Sequence, residues 1–377
     1  MTIIDWVMVL ILAVLIVLLL LCIVNILTIP VIGKRKMQNE EVLVSVLIPA
    51  RNEEQNIGNC VESVLSQSYR NLEVLVLNDG STDRTGEIVC SLNDNRLKVS
   101  DGMPLPQGWV GKNFACHQLQ GMAKGSYLLF IDADTKLEED CISSALEFSL
   151  ENSCDLLSVM PREISESFWE KLVIPMLYFA VTVFLPFPMI SRSPKKQYAM
   201  GNGQFMMFRR SFYDRIGGHE SLKNRIVEDV WLARRVKEFK GKLVFADASE
   251  LISCRMYRDL REVWEGFSKN IFAGLSFSEV GLLMTVVIYL VLFVIPPVLL
   301  ISGAIAPSAV SVSVVMIPPL MRLLQAVKFR QPLFYSLLNP LSALSISAVA
   351  LNSFRLIRFR GGATWKGRMY AEDTISA

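Results

Sequence analysis

Residues 6–28 hold no charged side chain and are mainly Leu, Ile and Val. The run is long enough to cross about 30 Å of hydrocarbon as a helix. In such a segment every backbone polar group must be satisfied internally, and a single run does this only as a helix. A cleaved leader would have a basic start, a shorter apolar region and a small-residue cleavage site. Here Asp5 precedes the run, and Lys34, Arg35 and Lys36 follow it. Residues 1–30 are therefore read as an N-terminal transmembrane helix whose basic flank puts the next segment in the cytoplasm.

Residues 280–321 are also uncharged and are broken by Gly303-Ala-Ile-Ala-Pro307, which predicts a helical hairpin that crosses and returns. A third uncharged stretch, 331–354, is expected to be re-entrant or in-plane. A crossing there would place Arg355, Arg358, Arg360, Lys366 and Arg368 outside, against the positive-inside bias, and Asn339-Pro340 interrupts its centre. The C-terminal membrane region is thus 280–357, followed by a basic cytoplasmic tail, 358–377. With 52% apolar and 20% charged residues among 377, much of the chain faces lipid, and the expected location is the plasma membrane with several passes. Thirty-eight basic against 36 acidic residues give a net charge of +2, too balanced for a protein that neutralises nucleic-acid phosphates. Two histidines and seven cysteines without a C-x-x-C pair exclude a His-rich or Cys-rich zinc site and read as reduced, mostly buried thiols.

Between the membrane segments, 42–270 has the patterning of one sizeable globular domain. Val42-Leu-Val-Ser-Val-Leu-Ile48 is an almost wholly apolar run ending at Pro49, as in a strand buried on both faces of a parallel sheet. Residues 56–67 form an amphipathic helix, 72–77 a second strand, and Thr82 or Asp83 caps a helix to about Cys90. A helix at 111–123, a strand at 127–131 and a helix at 138–149 continue the βαβ rhythm. The expected fold is a doubly wound α/β domain, in which ligands bind outside the carboxyl ends of the strands.

Polar clusters fall at those strand ends. Pro49-Ala-Arg-Asn-Glu-Glu54 follows the first, Asn78-Asp-Gly-Ser-Thr-Asp83 the second, and Asp132-Ala-Asp134 the third. Asp132 and Asp134 flank a small residue, so both carboxylates can project into one crevice. Hard oxygen ligands of this kind suit Mg²⁺ or Mn²⁺ with positions left open for phosphate oxygens. Asp79, beside Gly80, can hold a base or ribose, or make an Asx turn. No phosphate-cradling G-x-x-x-x-G-K-[ST] occurs; Lys112, in Gly108-Trp-Val-Gly-Lys112, can instead present its ammonium to a diphosphate. Glu228-Asp229 sits near a helix start, where a cap is the plain alternative. Asn202, in Gly201-Asn-Gly-Gln204, can bond an acceptor hydroxyl or simply make a turn.

Together and in this order, the Pro49 loop, the Asn78 loop, Gly108-Trp-Val-Gly-Lys112, Asp132-Ala-Asp134 and Glu228-Asp229 resemble the family 2 inverting glycosyltransferases, over roughly 42–270. The resemblance implies a nucleotide-diphospho-sugar (GT-A type) domain carrying N- and C-terminal transmembrane helices. Gly108-Trp-Val-Gly-Lys112 and Trp365-Lys-Gly-Arg-Met-Tyr370 look like those of bacterial membrane enzymes that glycosylate carotenoid acids or accompany hopanoid synthesis. It further implies that Pro49, Ala50, Glu53 and Asp79 bind the nucleotide, Lys112 the diphosphate, Asp134 and Asp132 a Mn²⁺ or Mg²⁺, and Asp229 the acceptor's proton, with Glu228 and Asn202 lining the substrate side.

The expected reaction moves a sugar, as from a UDP-hexose, to a membrane lipid such as a carotenoid acid or another isoprenoid, with inversion. A processive polysaccharide synthase is the nearest alternative, but its Q-x-x-R-W is replaced by Arg255-Met-Tyr-Arg258 and Arg261-Glu-Val-Trp264. A non-catalytic scaffold would not need Asp79, Asp132, Asp134 and Asp229 together. Residues 168–191, apolar but broken by Pro175, Pro186 and Pro188, lie between Asp134 and Asp229. They cannot cross once without separating the two, and are expected in the cytoplasmic interface.

Overall fold

Alternating apolar strands and amphipathic helices build a seven-stranded sheet in the computed structural model, which describes residues 3–37 and 41–370. Its strands are β1 (Val44–Ala50), β2 (Leu72–Asn78), β3 (Leu97–Asp101), β4 (Tyr127–Phe130), β5 (Leu156–Met160), β6 (Met206–Arg209) and β7 (Leu243–Asp247). They run in the order β3-β2-β1-β4-β6-β5-β7. β3, β2, β1 and β4 are parallel, with Val44 opposite both Leu72 and Tyr127. β6 is antiparallel to β4 and β5, and β5 is parallel to β7. The sheet is therefore mixed where a parallel one was expected, because Met206-Met-Phe-Arg209 enters from the opposite end.

The apolar runs follow from burial on both faces. Val44, Val46 and Ile48 pack with Cys60, Val61 and Val64 of the helix Ile57–Leu65 and with Ile142 and Ala145 of the helix Cys141–Glu151. Leu47, on the opposite face of β1, is equally inaccessible. A short antiparallel pair, Thr135–Leu137 with Ile252–Cys254, anchors the chain directly after Asp134. All seven cysteines are free.

The sheet belongs to a unit made of Ile29–Arg162, Pro188–Met256 and the segment from Lys366 onward. Of the basic tail, residues 371–377 lie outside the described residues, as do residues 1 and 2 of the N-terminal segment. A second unit contains the chain up to Thr28, Glu163–Phe187 and Tyr257–Trp365. Among the described residues, four of its helices are long and apolar enough to cross a membrane: Ile3–Thr28, Glu279–Ile301, Ala309–Lys328 and Asn339–Phe359. The helix Leu260–Gly274, inside the expected globular stretch, packs in this second unit. There Asn352 donates to the Ser268 hydroxyl at 2.9 Å, and the Phe272 N–H donates to Ser353 Oγ at 3.1 Å.

Two features of this unit depart from the sequence pattern. Asn339-Pro340 starts a helix instead of interrupting one, since a proline in the first turn lacks only an N–H that would have no intrahelical partner. The apolar part of 168–191 folds as short helices, Phe168–Val173 and Pro175–Phe184. Its Met176, Phe179 and Val183 are buried among Leu15, Cys22, Phe293, Val314 and Met321, while Phe168 and Phe184 stay exposed. Asn25, on the first long helix, makes this broken backbone tolerable. Its amide nitrogen donates to the carbonyls of Thr182 and Leu185, both at 2.8 Å, and its oxygen accepts the Phe187 N–H at 2.8 Å.

Candidate active site

The carboxyl ends of β2, β1 and β4 lie side by side, so the loops that leave them meet. Asp79, first residue after β2, donates its N–H to the Ala50 carbonyl at the end of β1, 2.8 Å away. The Arg51 guanidinium donates to the carbonyls of Asp79 and Gly80 at 2.6 and 2.9 Å. Further along, the Glu53 N–H bonds Thr85 Oγ1 at 2.7 Å and the Glu54 N–H bonds Asp83 Oδ2 at 3.1 Å. The Pro49 and Asn78 loops are thereby fastened together, with Pro49 and Ala50 the last two residues of β1. Asp83 serves structure, accepting the Thr85 N–H and hydroxyl at the start of the helix Thr85–Ser91.

Asp132 and Asp134 follow β4 through Ile131. Asp132 Oδ1 is 2.5 Å from the Lys112 ammonium, which also reaches Glu228 Oε1 at 2.8 Å. Lys112 is the second residue of the helix Gly111–Met122, so one side chain ties the β4 end to the start of the helix Glu228–Glu238. Asp134 Oδ1 is shielded from solvent and has no hydrogen-bond partner. Burial, with Glu53 and Asp132 nearby, raises the Asp134 carboxyl to about 7. An orphaned oxygen in an acidic corner fits a divalent cation. Among the described residues no three His, Cys, Asp or Glu side chains are grouped so as to hold a metal by themselves.

Glu228 and Asp229 are adjacent but driven apart. Burial acts to raise Glu228, yet the bonded Lys112 ammonium overrides it and holds the carboxyl near 2. Burial and then the Glu228 charge raise Asp229 to about 7. Two neighbouring carboxylates with separated affinities for a proton are a mark of acid–base chemistry. The residue before them, Val227, has φ +60, a left-handed conformation unfavourable for a β-branched side chain.

Two glycines make this approach possible. A Cβ on Gly201 would lie 2.4 Å from the Asp229 carbonyl oxygen, and one on Gly203 would lie 2.9 Å from Lys112 Nζ. The Gly203 N–H donates to Asp229 Oδ2 at 3.0 Å. Between them, Asn202 spends its side chain on the turn: its oxygen accepts the Gln204 N–H at 3.1 Å and its nitrogen donates to Gln204 Oε1 at 2.8 Å.

Sequence reasoning missed the residues that close over Asp79 and Glu53. Arg368 grips Asp79 with both terminal nitrogens, one of them 2.9 Å from Oδ1, and Lys366 pairs with Glu53. The available signal was the stretch Trp365-Lys-Gly-Arg-Met-Tyr370, which carries part of the resemblance but was assigned no place in the site.

Residues 45–217 match the family described as Glycosyl transferase family 2. The 4,4'-diaponeurosporenoate glycosyltransferase of Staphylococcus aureus (strain USA300) is 27% identical over 250 residues, covering 66% of this chain and 65% of that protein, slightly less than two thirds of its length. Among solved structures, the mannosyltransferase PcManGT from Pyrobaculum calidifontis, in complex with GDP-Man and Mn2+, is similar over 92% of this chain and 98% of its own, with a TM-score of 0.54 and 14% identity. At that identity the likeness concerns the fold, a GT-A α/β architecture.

Proposed function

Because residues 45–217 match the family described as Glycosyl transferase family 2, we propose that the chain is a transferase that moves a hexose from a nucleotide-diphospho-sugar, UDP-linked, to a membrane lipid acceptor, with inversion and with Mn²⁺ or Mg²⁺. The observation that carries this reading is the convergence of Asp79, Asp132, Asp134 and Asp229 at one end of one sheet, with Asp134 Oδ1 lacking a hydrogen-bond partner and Asp229 raised to about 7. The 27% identity to a carotenoid-acid glycosyltransferase supports an isoprenoid lipid, such as a carotenoid acid, as acceptor. Four helices able to span a bilayer and the basic flank at Lys34–Lys36 support a multi-pass protein of the plasma membrane with its catalytic unit in the cytoplasm.

In this reading Asp79 bonds the base or ribose, and Pro49, Ala50 and Glu53 line the nucleotide. Asp134 and Asp132 would hold the cation, which when bound neutralises the charge that grows on the leaving diphosphate. Lys112 adds a fixed positive charge on the same side. Asp229 accepts the proton of an acceptor hydroxyl as its oxygen attacks the anomeric carbon from the face opposite the diphosphate, so configuration inverts. With a carboxylate acceptor no proton need be removed, and Asp229 orients the nucleophile. Glu228 stays ionised and keeps Lys112 in place.

The test is mass spectrometry of lipid extracts from cells with and without the protein, joined to donor turnover by the purified enzyme. The expected result is a glycosylated isoprenoid lipid that appears with the protein, and turnover that stops in a chelator and returns with Mn²⁺ or Mg²⁺. Polymeric product, or full turnover in the chelator, would overturn the reading.

A further inference from the structure

Arg368 and Asp79 are 289 positions apart in sequence yet form a two-pronged ion pair. Both side chains are largely withdrawn from water, at 20% and 9% exposure. Lys366 pairs with Glu53, and its carbonyl accepts a bond from Arg51 Nε at 3.1 Å. Lys366 and Gly367 both have left-handed backbones, φ +47 and +75, and Arg368 opens the short strand Arg368–Tyr370. Gly111 makes room: a Cβ there would lie 1.9 Å from Arg368 Nη1 and 3.3 Å from Asp79 Oδ2. The guanidinium therefore sits between Asp79 and the start of the helix that carries Lys112.

Three cations, Lys112, Lys366 and Arg368, thus meet the carboxylates assigned to the donor. A nucleotide that takes the Asp79 oxygens for its base or ribose leaves a half-buried guanidinium without a counter-ion, which is strongly unfavourable. The same nucleotide brings a diphosphate, whose paired oxygens match the fork of an arginine. We propose that residues 366–370 are part of the donor site, and that Arg368 and Lys366 exchange Asp79 and Glu53 for the diphosphate oxygens when a nucleoside diphosphate binds. This rests on the donor-site reading above. It supplies, from the far end of the chain, the cations that the missing Q-x-x-R-W leaves unassigned.

Calorimetry on the full-length protein in detergent with Mn²⁺ tests it, using UDP and GDP and, by competition, uridine and guanosine. The wild type is expected to bind one of the diphosphates. Arg368→Ala should weaken that diphosphate by about 10–100-fold, as for a lost charge-assisted contact, and leave the matching nucleoside unchanged or tighter because Asp79 is released. Lys366→Ala should weaken the diphosphate by a smaller factor in the same sense, and Lys98→Ala, remote on β3, should change neither. Diphosphate binding that is unchanged or tighter in Arg368→Ala would make the segment a plug and overturn the proposal. An equal loss of nucleoside and diphosphate would also overturn it, by making Arg368 a support for the Asp79 loop. Should Arg368→Ala not fold, Arg368→Lys, which keeps the charge and loses the fork, carries the same comparison. A wild type that binds neither diphosphate refutes the donor-site reading itself, an outcome separate from wild-type binding that ignores Arg368.

Discussion

Replacing Asp229 by asparagine removes the proton acceptor and keeps one of the two backbone bonds the carboxylate accepts, since the Gly203 N–H donates to Oδ2 and the Val230 N–H to Oδ1 and only one side-chain oxygen remains. A positioned general base contributes about 10²–10⁴-fold, so transfer to a hydroxyl acceptor should fall by that factor with donor affinity nearly unchanged. The pH profile gives the sharper test. Asp229 works as the carboxylate, and burial followed by the Glu228 charge raises it to about 7. Activity should therefore rise with pH through that value. At pH 6 about a tenth of Asp229 is ionised, so the rate falls about tenfold per pH unit below the midpoint and levels off above pH 8. Glu228→Gln removes one cause of the elevation and should move this limb to lower pH. Initial rates at saturating donor, in buffers from pH 5 to 9, measure both effects. A limb that persists in Asp229→Asn, or that moves upward in Glu228→Gln, would refute the assignment of the base.

Three further outcomes follow from the same geometry. Asp134→Asn should abolish metal-supported donor binding yet stabilise the metal-free protein. The rise from 3.8 to about 7 corresponds to about 4 kcal/mol for a sequestered group, reduced by solvent screening to about 1–2 kcal/mol. Because the folded carboxyl holds its proton above the unfolded value, the gain should be larger at pH 8 than at pH 5 in thermal melts. Gly201→Ala should destabilise by about 1–3 kcal/mol, since its Cβ would press on the backbone oxygen of Asp229 at 2.4 Å; an unchanged melting temperature would contradict the close packing. Asn25→Leu should lower stability by about 3 kcal/mol or more despite its greater apolarity, because three backbone groups at residues 182–187 lose their partner. A melt in the same detergent that matches the wild type would show that this break is satisfied otherwise.

What could be read in advance was local. Val42-Leu-Val-Ser-Val-Leu-Ile48 announces a doubly buried strand, and small polar residues after it announce a strand-end loop, since each depends on neighbours a few positions away. The helices expected at 56–67 and 111–123 are observed as Ile57–Leu65 and Gly111–Met122. Pairing across the chain was not legible. The reversed direction of Met206–Arg209 depends on where 126 and 155 leave its two neighbours, and four apolar residues carry no sign of direction. The role of Asn25 is invisible without Leu185 and Phe187 beside it. Lys112 was readable as a cation near the site, but its simultaneous hold on Asp132 and Glu228 required three elements to converge. Arg368 is the extreme case: nothing near it in sequence hints at Asp79.

The bond between Arg368 and Asp79 also limits how the chain is threaded through a bilayer. The polypeptide leaves the sheet-bearing unit after Met256 and is back in it at Lys366, so its path between those points forms a closed excursion. A closed excursion crosses a membrane an even number of times. Three helices on that path are long and apolar enough to cross, and three is odd. If two of them cross, the third enters and leaves by the same face or lies along it; we propose that this is Asn339–Phe359, which ends seven residues before Lys366 and carries Arg355 and Arg358.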